Sequence, residues 1–138
     1  MIRYLLDTDT VSLLQDLNKQ VVAQVALHPP DEIGTSIVTV EEQLSAWYTL
    51  LRRARTSAQL VPVYERMTRA VNFLSNVPLL SFDAVAATTY DQLRKRYPRK
   101  GKMDLRIAAI AIANSCTLVS RNLVDFQDIE GLAVEDWA

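Results

Sequence analysis

Carboxylates are the side chains of this sequence that most clearly suggest chemistry. Of its 138 residues 16 are Asp or Glu, whereas His28 and Cys116 are the only histidine and the only cysteine. A single His and a single Cys exclude catalysis by a histidine pair and a zinc site of the usual His/Cys type. The three glycines form neither a phosphate-binding loop nor a dinucleotide-binding fingerprint. The chemistry left open is that of clustered carboxylates.

The acidic residues fall at comparable places in four distant segments. They follow apolar runs that predict strands, or they open an apolar helix: Asp7 and Asp9 after Ile2–Leu6, Glu41 and Glu42 after Ile37–Val40, Asp104 before Leu105, and Asp125 after Thr117–Val119. Ligands of a parallel sheet bind at the carboxyl ends of its strands, where loops and helix starts meet. The sequence therefore predicts that these carboxylates converge on one edge.

Each acid also has a purely structural interpretation. Asp7 and Asp104 both precede segments with helical character, and a helix N-cap is worth about 1 kcal/mol. Their conjunction favours a site, because two carboxylates ~4 Å apart repel by about 4 kcal/mol at an effective dielectric constant near 20. A divalent cation removes that repulsion. Oxygen ligands without His or Cys favour Mg²⁺ or Mn²⁺ over zinc.

A basic segment leads into Asp104. Between Arg94 and Arg106 there are seven basic residues and one acid, although the formal charge of the whole chain is −1. Such a run is either a solvated helix face or a surface that attracts a polyanion towards the acidic edge. Three further arginines, Arg52, Arg53 and Arg55, extend the candidate surface.

The elements that must position these residues are short strands alternating with helices. Apolar runs predict five strands: Ile2–Leu6, Ile37–Val40, Val77–Leu80, Thr117–Val119 and Leu132–Val134. Helical spacing predicts helices over 40–51, over 60–74 with Pro62 in the first turn, over 84–97, and over 105–114 in the core. This alternation predicts one α/β domain over residues 1–138, with a mainly parallel sheet covered on both faces.

Three single features complete the prediction from composition. His28 precedes two prolines and is expected at a helix C-terminus facing water, whereas Cys116 lies in an apolar run and is expected to be buried and inert. The longest apolar stretch, Ile107 to Ala113, is far shorter than the ~20 residues of a membrane span. Asp7 and Asp9 interrupt the apolar core that a secretory signal needs, so we expect no membrane contact and a cytoplasmic location.

Taken in order, five blocks resemble the PIN-domain ribonucleases of the VapC toxin type. They are Tyr4-Leu5-Leu6-Asp7-Thr8-Asp9, Ser36 to Glu42, Met103 to Ala111, Leu118 to Phe126, and Gly131-Leu132 with Trp137. The resemblance runs from end to end and implies a PIN-like three-layer α/β/α sandwich with about five strands. It implies an acidic pocket that binds Mg²⁺ or Mn²⁺ and cleaves RNA. It also implies a small antitoxin partner and a homodimer.

The resemblance assigns roles residue by residue. Asp7, Glu42 and Asp104 match the family's first three acids and become catalytic residues and metal ligands. The fourth acidic position is Asn122 here, so Asn122 or Asp125 is expected to complete the site. Supporting oxygen atoms are assigned to Thr8, Asp9 and Ser120, and a solvent-facing or supporting place to Glu41. The charge of the basic segment, and not the resemblance, predicts RNA contacts at Arg96, Lys100 and Lys102.

Two other functions compete with this one. Asp7-Thr8-Asp9-Thr10-Val11 resembles the nucleophile motif of haloacid-dehalogenase-like phosphatases, in which Asp7 would attack phosphorus directly. That mechanism needs a downstream lysine, and none follows the strand at 118–120. The second alternative is a PIN scaffold with weak or no catalysis that binds RNA or a partner protein, which the neutral Asn122 makes plausible.

Overall fold

The computed structural model describes residues 1–138 and contains one sheet of five parallel strands in the order β3-β2-β1-β4-β5. The strands are β1 (Tyr4–Leu6), β2 (Ile33–Ser36), β3 (Leu79–Leu80), β4 (Thr117–Val119) and β5 (Val134–Glu135). In register, Leu6 of β1 lies beside Thr35 of β2 on one side and Val119 of β4 on the other. The central strands therefore end together, at the edge where Asp7 follows.

Seven α-helices and one 3-10 turn connect the strands. The helices are α1 (Thr8–Gln15), α2 (Lys19–Ala26), α3 (Ile37–Arg53), α4 (Ser57–Leu74), α5 (Ala84–Arg96), α6 (Lys102–Ala113) and α7 (Leu123–Phe126), and the 3-10 turn is Pro30–Glu32. None of these helices is long and apolar enough to cross a bilayer.

Alternate residues of the central strands pack on opposite faces of the sheet. Leu5 and Leu118 belong to a core with the buried face of α6 and residues of α3, α5 and α7. Leu6 and Val119 belong to a second core with side chains of α1, α2 and α4. Because side chains of a strand alternate between faces, the two cores are the two interfaces of three layers. The predicted α/β/α sandwich is confirmed, as is the core position of α6.

The prediction of a strand at Ile37–Val40 was wrong, because these residues open helix α3. The strand is the preceding Ile33–Ser36, whose four residues are all buried although three of them are Gly, Thr and Ser. The Ser36 hydroxyl ends it by accepting the backbone N–H of Thr39 at 3.2 Å as the cap of α3. A Cβ on Gly34 would lie 2.7 Å from the Pro78 carbonyl oxygen, so the close approach of this backbone explains the glycine.

Other element boundaries also differ from the prediction. Helix α4 begins five residues before Pro62, because Thr56 and Gln59 form a capping box at its start. Pro62 therefore lies inside the helix and not in its first turn. The last strand, β5, begins at Val134, where the predicted strand ends.

His28 is half-buried, whereas the sequence predicted a ring that faces water. It follows the end of α2, as predicted, but its ring stacks on Trp137 with centroids 5.1 Å apart and lies 4.4 Å from the ring of Tyr4. This stack joins α2 to the C-terminal residues across the end of the sheet. Cys116 is buried, as predicted, and burial raises the pKa of its thiol.

Candidate active site

Asp7 directly follows β1 and is both a helix cap and a member of the acidic edge. Its carboxylate accepts the backbone N–H of Thr10 at 2.8 Å and thereby caps α1. Asp7 is only 6 % exposed. The two interpretations of this residue from sequence are therefore compatible. The helix start fixes one carboxylate oxygen and orients the side chain at the end of the strand.

Glu42 reaches the same edge from the second turn of α3. The Thr8 hydroxyl donates a hydrogen bond to Glu42 Oε1 at 2.6 Å, and Thr8 Oγ1 also lies 3.1 Å from Thr39 Oγ1. This contact joins the first residue of α1 to α3. The sequence suggested a supporting oxygen at Thr8 but not its partner, since the contact joins residues 34 positions apart.

Asp104 lies in the first turn of α6. It does not cap that helix, which was the structural alternative to a ligand role, because Gly101 occupies the cap position. Burial raises the pKa of Asp104. The negative charges of Asp125, Glu42 and Asp7 raise it further, while Lys100 lowers it. These carboxylates are therefore close enough to Asp104 to disfavour its ionisation.

Residues after β4 complete the edge. Ser120 is fully buried, and its hydroxyl accepts the backbone N–H of Asn122 at 3.0 Å. The Asn122 side-chain amide in turn donates to Asp125 Oδ2 at 2.7 Å. Asn122 and Asp125 are thus a hydrogen-bonded pair.

These segments line a common cleft of about 410 Å³. Its polar wall consists of Asp7, Thr8, Asp9, Glu42, Asp104, Arg121 and Asn122, and Ile107 and Phe126 form its apolar part. Asp125 does not line the cleft directly and acts there through Asn122 and through its charge on Asp104. The structure therefore brings together the three predicted acids and Asn122.

The donor set of this cleft fits a hard divalent cation. No three His, Cys, Asp or Glu side chains of the chain lie close enough together to form a preassembled metal cage. The side chains that line the cleft offer carboxylate, hydroxyl and amide oxygens, which are the ligands of Mg²⁺ and Mn²⁺. Burial and the neighbouring negative charges raise the pKa of Asp104, and a cation between these carboxylates would offset those charges.

Asp9 is neutralised by a residue that the sequence did not single out. Arg121 donates to both carboxylate oxygens of Asp9, at 2.5 and 3.1 Å, and lines the mouth of the cleft. The hydrogen bond and charge of Asp9 raise the pKa of Arg121. The only signal for Arg121 was its place between Ser120 and Asn122. Its pairing with a residue on α1 could not be read from local sequence.

Two residues of the basic segment are engaged within the protein. Lys100, 17 % exposed, donates from Nζ to the backbone carbonyl of Asp125 and to Asp128 Oδ1, both at 2.8 Å. Arg96 pairs with Glu130, whereas Lys102 forms no ion pair. The pairing acids lie beyond residue 124 and not beside the segment in sequence. The RNA contacts assigned to these residues stay a prediction.

Comparisons with known proteins agree with this geometry. A family model described as PIN domain matches residues 4–132. Ribonuclease VapC2 of Rickettsia felis is 38% identical over 69 residues, and the alignment covers 47% of this chain and 52% of the relative, so the chain spans about half the length of this curated relative.

Two solved structures match along almost the whole chain. DNA-bound VapBC of Salmonella typhimurium is 24% identical, with a TM-score of 0.78 and full coverage of both chains. VapBC-1 of nontypeable Haemophilus influenzae is 26% identical, with a TM-score of 0.74, covering 99% of this chain and 98% of the other. The resemblance to VapC-type proteins suggested by the sequence blocks is confirmed.

Proposed function

This chain belongs to the PIN-domain family, and we propose that it is a Mg²⁺- or Mn²⁺-dependent endoribonuclease that acts as the toxin of a toxin–antitoxin pair. The observation that carries the proposal is the convergence of Asp7, Glu42 and Asp104, from three distant segments, on one cleft. The names of its relatives, which include a ribonuclease and VapBC complexes, support the same function.

Asp7, Glu42 and Asp104 would hold the cation, directly or through water, with Asn122 or Asp125 completing the set. A divalent cation bound there supplies an activated water for in-line attack and offsets charge on the phosphate oxygens. Thr8 holds Glu42 in orientation through the 2.6 Å hydrogen bond. The Ser120 hydroxyl accepts the backbone N–H of Asn122 and so holds the backbone of Asn122 in place.

The expected products follow from which bond breaks. Water adds its oxygen to phosphorus, the bond from phosphorus to O3′ breaks, and a proton passes to O3′. The products are a 3′-hydroxyl and a 5′-phosphate. No covalent bond forms to Asp7, which distinguishes this reaction from that of an aspartyl-phosphate enzyme.

The phosphatase alternative is not favoured. In that mechanism Asp9 would have to give and take protons, whereas here Arg121 engages both of its carboxylate oxygens. An inactive scaffold is not favoured either, because the Thr8 and Ser120 contacts orient Glu42 and Asn122 towards a shared cleft.

The proposed partners are RNA as substrate, a small cognate antitoxin protein and a second copy of the chain. We assign RNA contacts outside the cleft to the basic segment, with Arg96, Lys100 and Lys102 as its candidates. Lys102 is the strongest of the three, because Arg96 and Lys100 already pair with acids.

The test is cleavage of a panel of structured and unstructured RNAs by purified protein with Mn²⁺, Mg²⁺ or a chelator. Wild type should cut one or more RNAs only with metal and leave 5′-phosphate ends, and Asp7→Asn and Asp104→Asn should lose at least 100-fold in rate. Asp31→Asn, which removes an exposed acid of the 3-10 turn, is the matched control and should retain activity. Cleavage that persists in chelator, or in Asp104→Asn, would refute the proposed mechanism.

A further inference from the structure

A second groove adjoins the acidic cleft between α1, α3 and α4. It has a volume of about 480 Å³ and shares Thr8 and Glu42 with the cleft. We call it the Trp47 groove, and the residues that characterise it are Gln15, Gln43, Trp47, Arg66, Arg69 and Phe73. Its size is in the range of about 300–1,000 Å³ that small-molecule pockets occupy. A chain lying across the acidic cleft could therefore continue directly into it.

The groove combines an aromatic surface with two available cations. The guanidinium carbon of Arg66 lies 5.0 Å from the centre of the Trp47 ring. Arg66 and Arg69 are both exposed, and neither is among the four ion pairs of the chain. Asp16 and Glu42 also line the groove but pair with neither arginine. Arg66 contacts the Trp47 ring but no carboxylate, and Arg69 has no acidic partner either, so both positive charges can meet an anionic group from outside.

Trp47 also carries an unsatisfied donor. Its indole N–H is shielded from solvent and has no hydrogen-bond partner, and it is the only such buried side-chain atom in the protein. The neighbouring amides of Gln15 and Gln43 satisfy each other, at 2.9 and 3.1 Å. A buried donor without an acceptor is rare in proteins, and an ordered water or an acceptor of a bound ligand would explain it.

We propose that the Trp47 groove binds one unpaired nucleotide next to the scissile phosphate, with its base against Trp47 and its phosphate near Arg66 and Arg69. This inference rests on the proposed ribonuclease function. Basic grooves with aromatic side chains bind single strands, because an unpaired base offers a free face for stacking and oxygen acceptors at its edge. A paired base offers neither, so the groove selects RNA that is single-stranded beside the cleavage site.

The direct test is the fluorescence of Trp47 in a chelating buffer, which stops metal-dependent cleavage and isolates binding. The chain has two tryptophans, so Trp137→Phe leaves Trp47 as the only reporter. An unstructured 20-nucleotide RNA should quench this fluorescence, whereas the same RNA annealed to its complement should not. Equal quenching by both forms would overturn the inference.

Binding by fluorescence anisotropy of labelled RNA gives a second measurement that does not need Trp137→Phe. Trp47→Leu keeps an apolar side chain without a stacking face and should weaken single-strand binding about tenfold. Tyr48→Leu, at the neighbouring exposed position, is its control and should leave affinity unchanged. Arg66→Gln and Arg69→Gln should each flatten the log–log salt dependence by about 0.7, whereas Lys19→Gln on α2 should not.

The outcomes separate this inference from the proposed function. If wild type cleaves RNA with metal but Trp47→Leu binds single strands as tightly as wild type, the groove is not a nucleotide site and the ribonuclease proposal stands. If wild type neither binds nor cleaves RNA, both fall. If Trp47 fluorescence responds to the partner protein of the pair and not to RNA, the groove docks protein and the inference is wrong.

Discussion

The Thr8 hydroxyl links helix α1 to Glu42, a proposed metal ligand in the acidic cleft. Thr8 is the first residue of α1, yet the shortest hydrogen bond of its hydroxyl is to Glu42 on α3. Hydrogen bonds to charged groups are worth about 1.5–3 kcal/mol, and this one also restricts the rotamers of a flexible side chain. It therefore serves both the packing of two helices and the orientation of a proposed metal ligand.

Replacing Thr8 by Val should expose both roles. Val keeps the shape but lacks the donor, so we expect the free energy of unfolding to fall by about 1.5 kcal/mol and metal-dependent cleavage to fall about tenfold. Thr8→Ser keeps the hydroxyl and is the matched control for both urea denaturation and cleavage rate. A Val variant with wild-type rate and stability would show that the contact does not matter.

The raised pKa of Asp104 predicts how the free energy of unfolding depends on pH in the absence of metal. Because its pKa is raised in the folded protein, the ionised carboxylate is better accommodated in the unfolded chain, and folding is destabilised at pH values above the folded pKa. This penalty declines as the pH falls through the folded pKa and is gone below the unfolded value of about 4. Removing the charge should therefore stabilise the protein at neutral pH and have little effect in acid.

The measurement is thermal denaturation in chelator of wild type and Asp104→Asn. At pH 7 the Asn variant should have the higher melting temperature, and the difference should shrink as the pH approaches 4. Asp31→Asn should show no such pH-dependent gain. A lower melting temperature for Asp104→Asn at pH 7 would mean that the carboxylate stabilises the fold and is not repelled by its neighbours.

At the scale of elements, short connections determine which side chains reach the cleft. Lys100, in the connection between α5 and α6, holds the backbone of Asp125 at the end of the sheet, and Tyr97 joins the same region through the Asp128 carbonyl. The hydrogen bond and the charge of Lys100 lower the pKa of Asp128. Lys102, two residues later, opens α6 without a pairing acid. We therefore expect Lys100 to stabilise the fold and Lys102 to be available for binding RNA.

The two lysines should separate in experiment. Lys100→Ala should lower the free energy of unfolding, because it leaves the Asp125 carbonyl without its donor. Lys102→Ala should leave stability unchanged and flatten the salt dependence of RNA binding by about 0.7. Urea denaturation and binding in Ca²⁺, chosen to limit turnover, measure the two effects. If Lys102→Ala leaves the salt slope unchanged, Lys102 is an ordinary solvated residue.

The elements also show where sequence was sufficient. The apolar runs before Asp7 and at 117–119 predicted β1 and β4, because buried parallel strands are continuous in hydrophobicity. The polar composition of Ile33–Ser36 hid β2, and the β-branched run that follows was mistaken for it. Ile33–Ser36 forms a strand despite its polar residues, because it is buried on both faces of the sheet. Ile37–Val40 forms a helix despite its β-branched residues, because the Ser36 side chain caps the helix that begins there. Helices α1 and α2 are short, and the sequence indicated only a possible start for α1 at Asp7 and a C-terminus for α2 at His28, without their bounds.

The same limit applies to the site. The acids were found because each follows or opens a recognisable element, and an error of a few residues in β2 did not move Glu42 from the edge. The contacts between them were not found, since Thr8 with Glu42 and Asp9 with Arg121 join residues that are 34 and 112 positions apart. Local sequence carries no signal for such pairs.

For the molecule as a whole, the fold brings segments from both halves of the chain to one end of a parallel sheet. Folding thereby buries Asp104 and brings it close to the negative charges of neighbouring carboxylates, which repel its charge, and both effects raise its pKa. We propose that a divalent cation at this place turns that repulsion into binding, and the proposed RNA cleavage depends on it.

The most direct test of that claim is the melting temperature of wild type and Asp104→Asn in rising Mn²⁺, with Asp31→Asn as control. A ligand that binds only the folded state at 100 times its dissociation constant stabilises it by about 2.7 kcal/mol, so wild type and Asp31→Asn should gain several degrees. Asp104→Asn should gain much less. An unchanged melting temperature of wild type in millimolar Mn²⁺, or an equal shift in wild type and Asp104→Asn, would contradict the account.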